Sequence, residues 1–153
     1  MHKKVDIVVV ALSTPILLGV YEDNKLIDSI ETDEKSSEAL PLIFEVLLAK
    51  YEIKNLFYAN GPGSFMAIKV SYVFLKSLSI LTNIPLYARD AFYFNKNQPI
   101  KAIAKLYFVK LTTKIETQKL ENAPICSFKL HDVLEYDEFT KESTPIYGIG
   151  AVG

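Results

Sequence analysis

The spacing of apolar residues changes after the first thirty or so residues of this chain, and that change limits the folds open to it. Up to Thr32 apolar positions follow strand patterns, and from Ser36 they follow the 3.6-residue period of a helix. The first stretch, Val5 to Tyr21, is a largely apolar run behind Lys3 and Lys4, which is the outline of a secretory signal. Asp6 lies inside the run, Pro15 interrupts it, no small-x-small cleavage site follows cleanly, and β-branched residues dominate, so strands explain it better. Ser13, Thr14 and Pro15 supply a turn between strands at Ile7 to Leu12 and Ile16 to Glu22. Asp23, Asn24 and Lys25 supply the next turn, before a third strand from Leu26 to Thr32. The first strand is apolar at successive positions, as a central strand covered on both faces is, whereas the third alternates more.

From Ser36 to Tyr51, Leu40, Ile43, Phe44, Leu47 and Tyr51 recur at helical spacing, with Ser36 or Ser37 as N-cap and Pro41 near the first turn. A short strand, Asn55 to Ala59, leads into the loop Asn60-Gly61-Pro62-Gly63, which opens a second helix from about Ser64 to Leu81. Ile84 to Ala88 reads as a strand, and Asp90 caps a short helix through Phe94. Three strands followed by helix, strand, helix, strand make an α/β lobe over residues 1–94. The polar stretch Asn95 to Pro99 marks a boundary, leaving a smaller second part, 95–153. There Ala102 to Leu111 and Ile125 to Leu130 are expected as strands separated by the polar segment Thr112 to Asn122. Asp132 to Ser143 is an acidic surface stretch, and Ile146 to Val152 reads as a final strand.

Composition removes several function classes. With 17 Lys+Arg against 18 Asp+Glu there is no global positive charge with which to grip a phosphate backbone, which argues against an autonomous nucleic-acid binder. Cys126 is the only cysteine, so no intrachain disulfide or multi-thiol metal site exists; this suits a reducing compartment, and cytoplasm is the expected location. His2 and His131 are the only histidines and lack metal-ligand spacing. Cys126 with His131 would be a nucleophile and base only if the fold joined them, and a lone Cys in an apolar stretch is ordinarily packing. Neither a Gly-x-Ser-x-Gly elbow nor a Walker A lysine is present.

The one unusual element is Asn60-Gly61-Pro62-Gly63-Ser64-Phe65, between a strand and a helix. Glycines admit positive φ, Pro62 stiffens the turn, and Ser64 can cap a helix whose amides could face an anion. As chemistry alone it is either a possible nucleotide-proximal loop, Asn60 to Ser64, or a tight turn with no ligand.

The segment LFYANGPGSFMAIKVSYVFLKSLSILTNIPLYA, Leu56 to Ala88, resembles the signature segment of the TsaB (YeaZ) family, usually close to G-P-G-S-F-T-G-[LV]-R before an amphipathic helix and a short strand. The opening meander and the helix around SSEALPLIFEVLL extend the likeness over about residues 5 to 94. The resemblance implies an actin/hexokinase-like ATPase (ribonuclease H-like) α/β fold with one full N-terminal lobe and a reduced C-terminal lobe. It implies a non-catalytic partner of TsaD which, with the ATPase TsaE and the adenylate made by TsaC, serves threonylcarbamoylation of adenosine 37 of tRNA. It further implies no cofactor bound by this chain alone, ATP or ADP at a subunit boundary, only indirect contact with tRNA, and no membrane. Ala11 stands where the family's first strand normally ends in Asp, which favours a non-enzyme. Met66-Ala67-Ile68-Lys69 replaces T-G-[LV]-R, and the second lobe's Asp-Ala-Arg motif is absent after Ile103.

The helix surfaces independently suggest a partner. On the first helix Leu42, Val46 and Leu48 widen the apolar stripe to roughly 240°, beyond what one sheet needs. On the second, Val70, Val73, Phe74, Leu78 and Leu81 form the expected sheet-facing stripe, with Ile68, Tyr72, Leu75 and Ser79 opposite. The expected interface is therefore Leu42, Val46, Ile68, Tyr72, Leu75 and Ser79, facing a TsaD homologue or, without one, a second copy of the chain. The competing reading is an ATP-binding sugar-kinase-like or acetate-kinase-like enzyme of the same superfamily, which Ala11 disfavours. A peptidase reading lacks both metal ligands and a nucleophile motif.

Overall fold

The computed structural model describes residues 2–123 and 125–147. Five strands form the main sheet: β1 (Lys3–Val10), β2 (Ile16–Glu22), β3 (Lys25–Thr32), β4 (Tyr51–Ala59) and β5 (Leu86–Arg89), in the order β3-β2-β1-β4-β5. The meander is antiparallel, and β4 and β5 join it in parallel, each after a helix: α1 (Ser36–Lys50) and α2 (Phe65–Thr82). β1 is central and buried from Val5 to Val10, as its largely apolar run requires, and β3 is an exposed edge. Val5 to Tyr21 thus lies in a pair of antiparallel strands and the turn between them.

Strand alternation divides the core in two. Val5, Ile7 and Val9 point to one face, where they meet Leu40, Phe44 and Leu47 of α1 and Leu75 of α2. Val8 and Val10, with Leu12 beyond the strand, point to the other, among Phe57, Tyr87, Phe92, Ile100, Phe108 and Leu134. This second cluster runs across Asn95 without a break, so residues from both sides of the expected boundary share one core.

A bulge explains a misplaced strand start. The β1/β4 register jumps between Val5 and Asp6, whose partners are Ile53 and Asn55, leaving Lys54 as the extra residue. Ile53 and Leu56 consequently both face the helices, and period two is legible only from Asn55 onward. The bulge also sets the buried Asp6 carboxylate to accept a hydrogen bond from Asn55 Nδ2 at 2.8 Å. Neither serine caps α1: Lys35 is its N-cap residue, with no side-chain bond. α2 is capped as expected, Ser64 Oγ accepting from the Ala67 amide at 3.5 Å, and it ends on Asn83 in the left-handed region.

The C-terminal third departs most from expectation. Ala102 to Leu111 is two strands, β6 (Ile100–Ile103) and β7 (Leu106–Lys110), because the chain reverses at Ala104, which has φ 51°. The polar segment after it contains β8 (Ile115–Lys119), completing a three-stranded sheet, β6-β7-β8. Ile125 to Leu130 forms no strand. Cys126, Phe128 and Leu130 do alternate, and they pack on the second face of the main sheet, but without a strand ladder. The expected strand Ile146 to Val152 falls, beyond Tyr147, outside the described residues.

Candidate functional site

The loop after β4 is enclosed by the chain itself. The Asn60 amide donates to the Arg89 carbonyl at 3.1 Å, and the Ala91 amide donates to the Gly61 carbonyl at 2.8 Å. From the other side comes the segment 143–147: Ile146 N–H donates to the Asn60 carbonyl at 2.7 Å, Asn60 Nδ2 donates to the Thr144 carbonyl at 3.0 Å, and the buried Tyr58 hydroxyl donates to the Ser143 carbonyl. Gly61 has φ 110°, and a Cβ built there would stand 2.2 Å from the Ile146 carbonyl oxygen. Asn60, Gly61 and Pro62 are buried, Gly63 is half-buried against Leu12, and Ser64 alone is exposed. Of the five residues expected near a nucleotide, only the last two therefore reach solvent. Nothing in the sequence signals the strap over this loop, because its hydrogen bonds are made through its own backbone N–H and C=O groups.

The helices correct the expected interface. Ile68 and Leu75 are 0% exposed and, with Ser71, form the sheet-facing stripe of α2; Tyr72 and Ser79 are half-buried on the same side. Of the residues expected to face the sheet, Val73 at 54% and Leu81 at 84% exposed lie outward and Val70 is half-buried, while Phe74 and Leu78 pack half-buried against the core. Both faces of α2 are apolar, so periodicity identifies the helix without giving its rotation. Ser71 and Ser79 can lie on the inward side because each hydroxyl is bonded to a nearby carbonyl, of Ile68 and Ile84 respectively. On α1 the reading holds, with Leu40, Phe44 and Leu47 inward and Leu42 and Val46 exposed.

Met66, Val70 and Val73 of α2 and Pro41 of α1 border an open groove of about 480 Å³ between the helices. Phe74 also lines it, its ring centroid 5.5 Å from that of the buried Phe44. The exposed apolar ridge continues to Ile80 and Leu81.

Cys126 and His131 are not joined. Cys126 Sγ accepts from Asn95 Nδ2 at 3.3 Å, while the His131 ring stacks on Tyr93 at 4.2 Å with Nε2 2.8 Å from the Tyr93 carbonyl. Among the described residues no group of three or more His, Cys, Asp or Glu side chains is placed to hold a metal ion.

No protein-family model matches the sequence, and no curated protein does. Solved structures do match. A crystal structure of a Pseudomonas aeruginosa protein with similarity to peptidase YeaZ aligns with TM-score 0.61 over 80% of this chain and 69% of that one, at 11% identity. The chain is thus a mixed α/β protein with a five-stranded sheet, of the kind that structure represents. YeaZ from Pseudomonas aeruginosa itself aligns with TM-score 0.54 at 10% identity, over 78% of this chain and 67% of its own. The likeness is one of fold, and it is to YeaZ structures, whose family signature the GPGSF segment resembles.

Proposed function

We propose that this chain is a non-catalytic scaffold or activator subunit that docks on a TsaD homologue, in an assembly that includes a TsaE homologue and threonylcarbamoylates adenosine 37 of tRNA. The observation that carries the reading is the outward apolar ridge of α2, Met66, Val73, Ile80 and Leu81, beside the groove shared with α1. A monomer rarely leaves so many large apolar side chains along one helix without a partner. By length and composition α2 is also apolar enough to cross a membrane. Its stripe Ile68, Ser71 and Leu75 is already packed on the sheet, which favours a protein partner over lipid. In this reading the chain has an actin/hexokinase-like frame with a reduced C-terminal lobe and acts in the cytoplasm. It meets tRNA only through its partners, leaves ATP or ADP to the subunit boundary, and pairs with a second copy when the partner is missing.

The kinase-like alternative has one feature in its favour, a cleft beside Gly63 and Ser64. Against it, Ala11 is buried just past β1 and offers no carboxylate for a metal-bound phosphate, while Asn60 and Gly61 already bond the chain's own segments. Titration calorimetry with the TsaD homologue tests the proposal. Val73→Asp should weaken binding at least about tenfold while leaving the melting temperature within a few degrees, since a charge is placed in an interface and not in the core. Undiminished binding by Val73→Asp would put the interface elsewhere, and ATP turnover by the chain alone would favour the kinase reading.

A further inference from the structure

A second cleft, of about 640 Å³, lies on the opposite side of the sheet from the α1/α2 groove. Its walls come from five separated parts of the chain: Leu12 and Ser13 after β1, Gly63 to Phe65 at the start of α2, Ile100 to Ile103 of β6 with Phe108 of β7, Cys126 with Phe128, and Tyr147. The volume is that of a small-molecule site. Phe65 and Tyr147 form one wall, ring centroids 4.6 Å apart. Four successive residues of β6 border the cleft, as an open strand edge does, and among the described residues β6 pairs with β7 alone.

The charges at this cleft have one sign. Among the described residues Lys101 is the only charged one that lines it, no Asp or Glu does, and no carboxylate pairs with Lys101. The start of α2 adds to this, since an 18-residue helix with no acidic residue in its first turn presents its positive end there. A single lysine cannot balance a polyphosphate, and no acidic group is present to recruit a divalent cation. Aromatic and aliphatic walls with one cation instead match a ligand with an apolar body and a single negative charge.

We propose that this cleft binds an amphipathic organic monoanion, an alkyl or aryl carboxylate, with its apolar body among Leu12, Phe65, Phe108, Phe128 and Tyr147 and its carboxylate at Lys101. Cys126, the only cysteine and part of the wall, supplies a built-in reporter. The test measures the rate at which a soluble disulfide reagent modifies Cys126 in the full chain, with decanoate, decylamine or magnesium-ADP present. Decanoate should slow modification, decylamine should not, and Lys101→Glu should weaken the decanoate effect at least about tenfold, as expected for replacing one charge-assisted hydrogen bond by repulsion. Lys101 is exposed on its strand, so the variant should melt like the parent. Chemical shifts of Ser13, Phe65 and Ile103 should move with decanoate. Equal protection by decylamine, unaltered affinity in Lys101→Glu, protection by ADP alone, or no protection by decanoate would each overturn the assignment.

Discussion

Gly61 shows how little freedom the loop after β4 retains. Its φ of 110° is strained for any other residue, and the Ile146 carbonyl occupies the space a Cβ would need. Gly61→Ala should therefore lose roughly 1–3 kcal/mol from backbone strain alone, with a further loss as segment 143–147 is pushed off. Urea denaturation reads this directly, and a variant as stable as the parent would mean that the strap does not sit on the loop. The tyrosines carry a different consequence. Burial, followed by the negative charge of Asp132, pushes the Tyr21 phenol well above its ordinary value; burial and then the neighbouring Tyr72 do the same for Tyr58, and burial and then the hydrogen bond to Glu135 for Tyr93. Tyr136 is pushed up to about 12, first by its bond to the Tyr87 hydroxyl and then by burial. Folding thus holds these protons more tightly than the unfolded chain does. Stability should be flat below the ordinary tyrosine value of 10.0 and fall as pH rises above it, toward the raised folded values. Tyrosinate absorbance and circular dichroism should then change together in an alkaline titration. Full ionisation near the ordinary value in a chain that keeps its native dichroism would contradict the burial of Tyr21 and Tyr58.

Among the elements, α1 and α2 show what hydrophobic periodicity conveys. On α1 the inward stripe of Leu40, Phe44 and Leu47 is readable from spacing, even though Leu42, Val46 and Leu48 extend its apolar surface outward. α2 is apolar on both sides, so the stripe with more large residues looks like the core face, whereas the sheet takes Ile68, Ser71 and Leu75. Leu75→Asp should accordingly fail to fold, since it leaves a charge at a fully buried position. Leu81→Asp, at an exposed position, should melt like the parent. Thermal melts of the two variants separate the rotations, and a folded Leu75→Asp protein would restore the rotation expected from sequence. Beyond β5 the signal weakens for a different reason. Residues Cys126, Phe128 and Leu130 alternate because they cover a sheet, not because they belong to one. β8 pairs with β7 while remaining largely exposed, so it has no apolar face to betray it.

At the scale of the whole molecule, the β–α order and the GPGSF segment made the N-terminal architecture legible, but the second face of the sheet was not, because its cover is assembled from distant segments. Backbone bonds tie that cover down: the Leu26 amide to the Asp132 carbonyl at 2.9 Å, the Ala88 amide to the Thr140 carbonyl at 2.8 Å, and the Lys129 amide to the Phe94 carbonyl at 2.8 Å. The Lys110 ammonium adds an ion pair with Asp90 at 2.5 Å, both side chains largely buried. Phe57 shows the depth of the packing, its ring 5.2 Å from that of Tyr87 and 4.8 Å from that of Phe139. If residues 96–153 were removed, Val8, Val10, Leu12, Phe57 and Tyr87 would face water. Each large apolar side chain so exposed costs roughly 1.5–3 kcal/mol, and the loss over five approaches the about 5–15 kcal/mol that holds a typical domain together. The full chain should therefore unfold in one cooperative step, with near- and far-ultraviolet dichroism coinciding. A fragment of residues 1–95 should be insoluble, or compact without fixed side-chain packing. Two separated transitions, or a fragment with dispersed amide resonances, would show that the N-terminal part stands alone and that the second face can lose its cover without loss of the sheet.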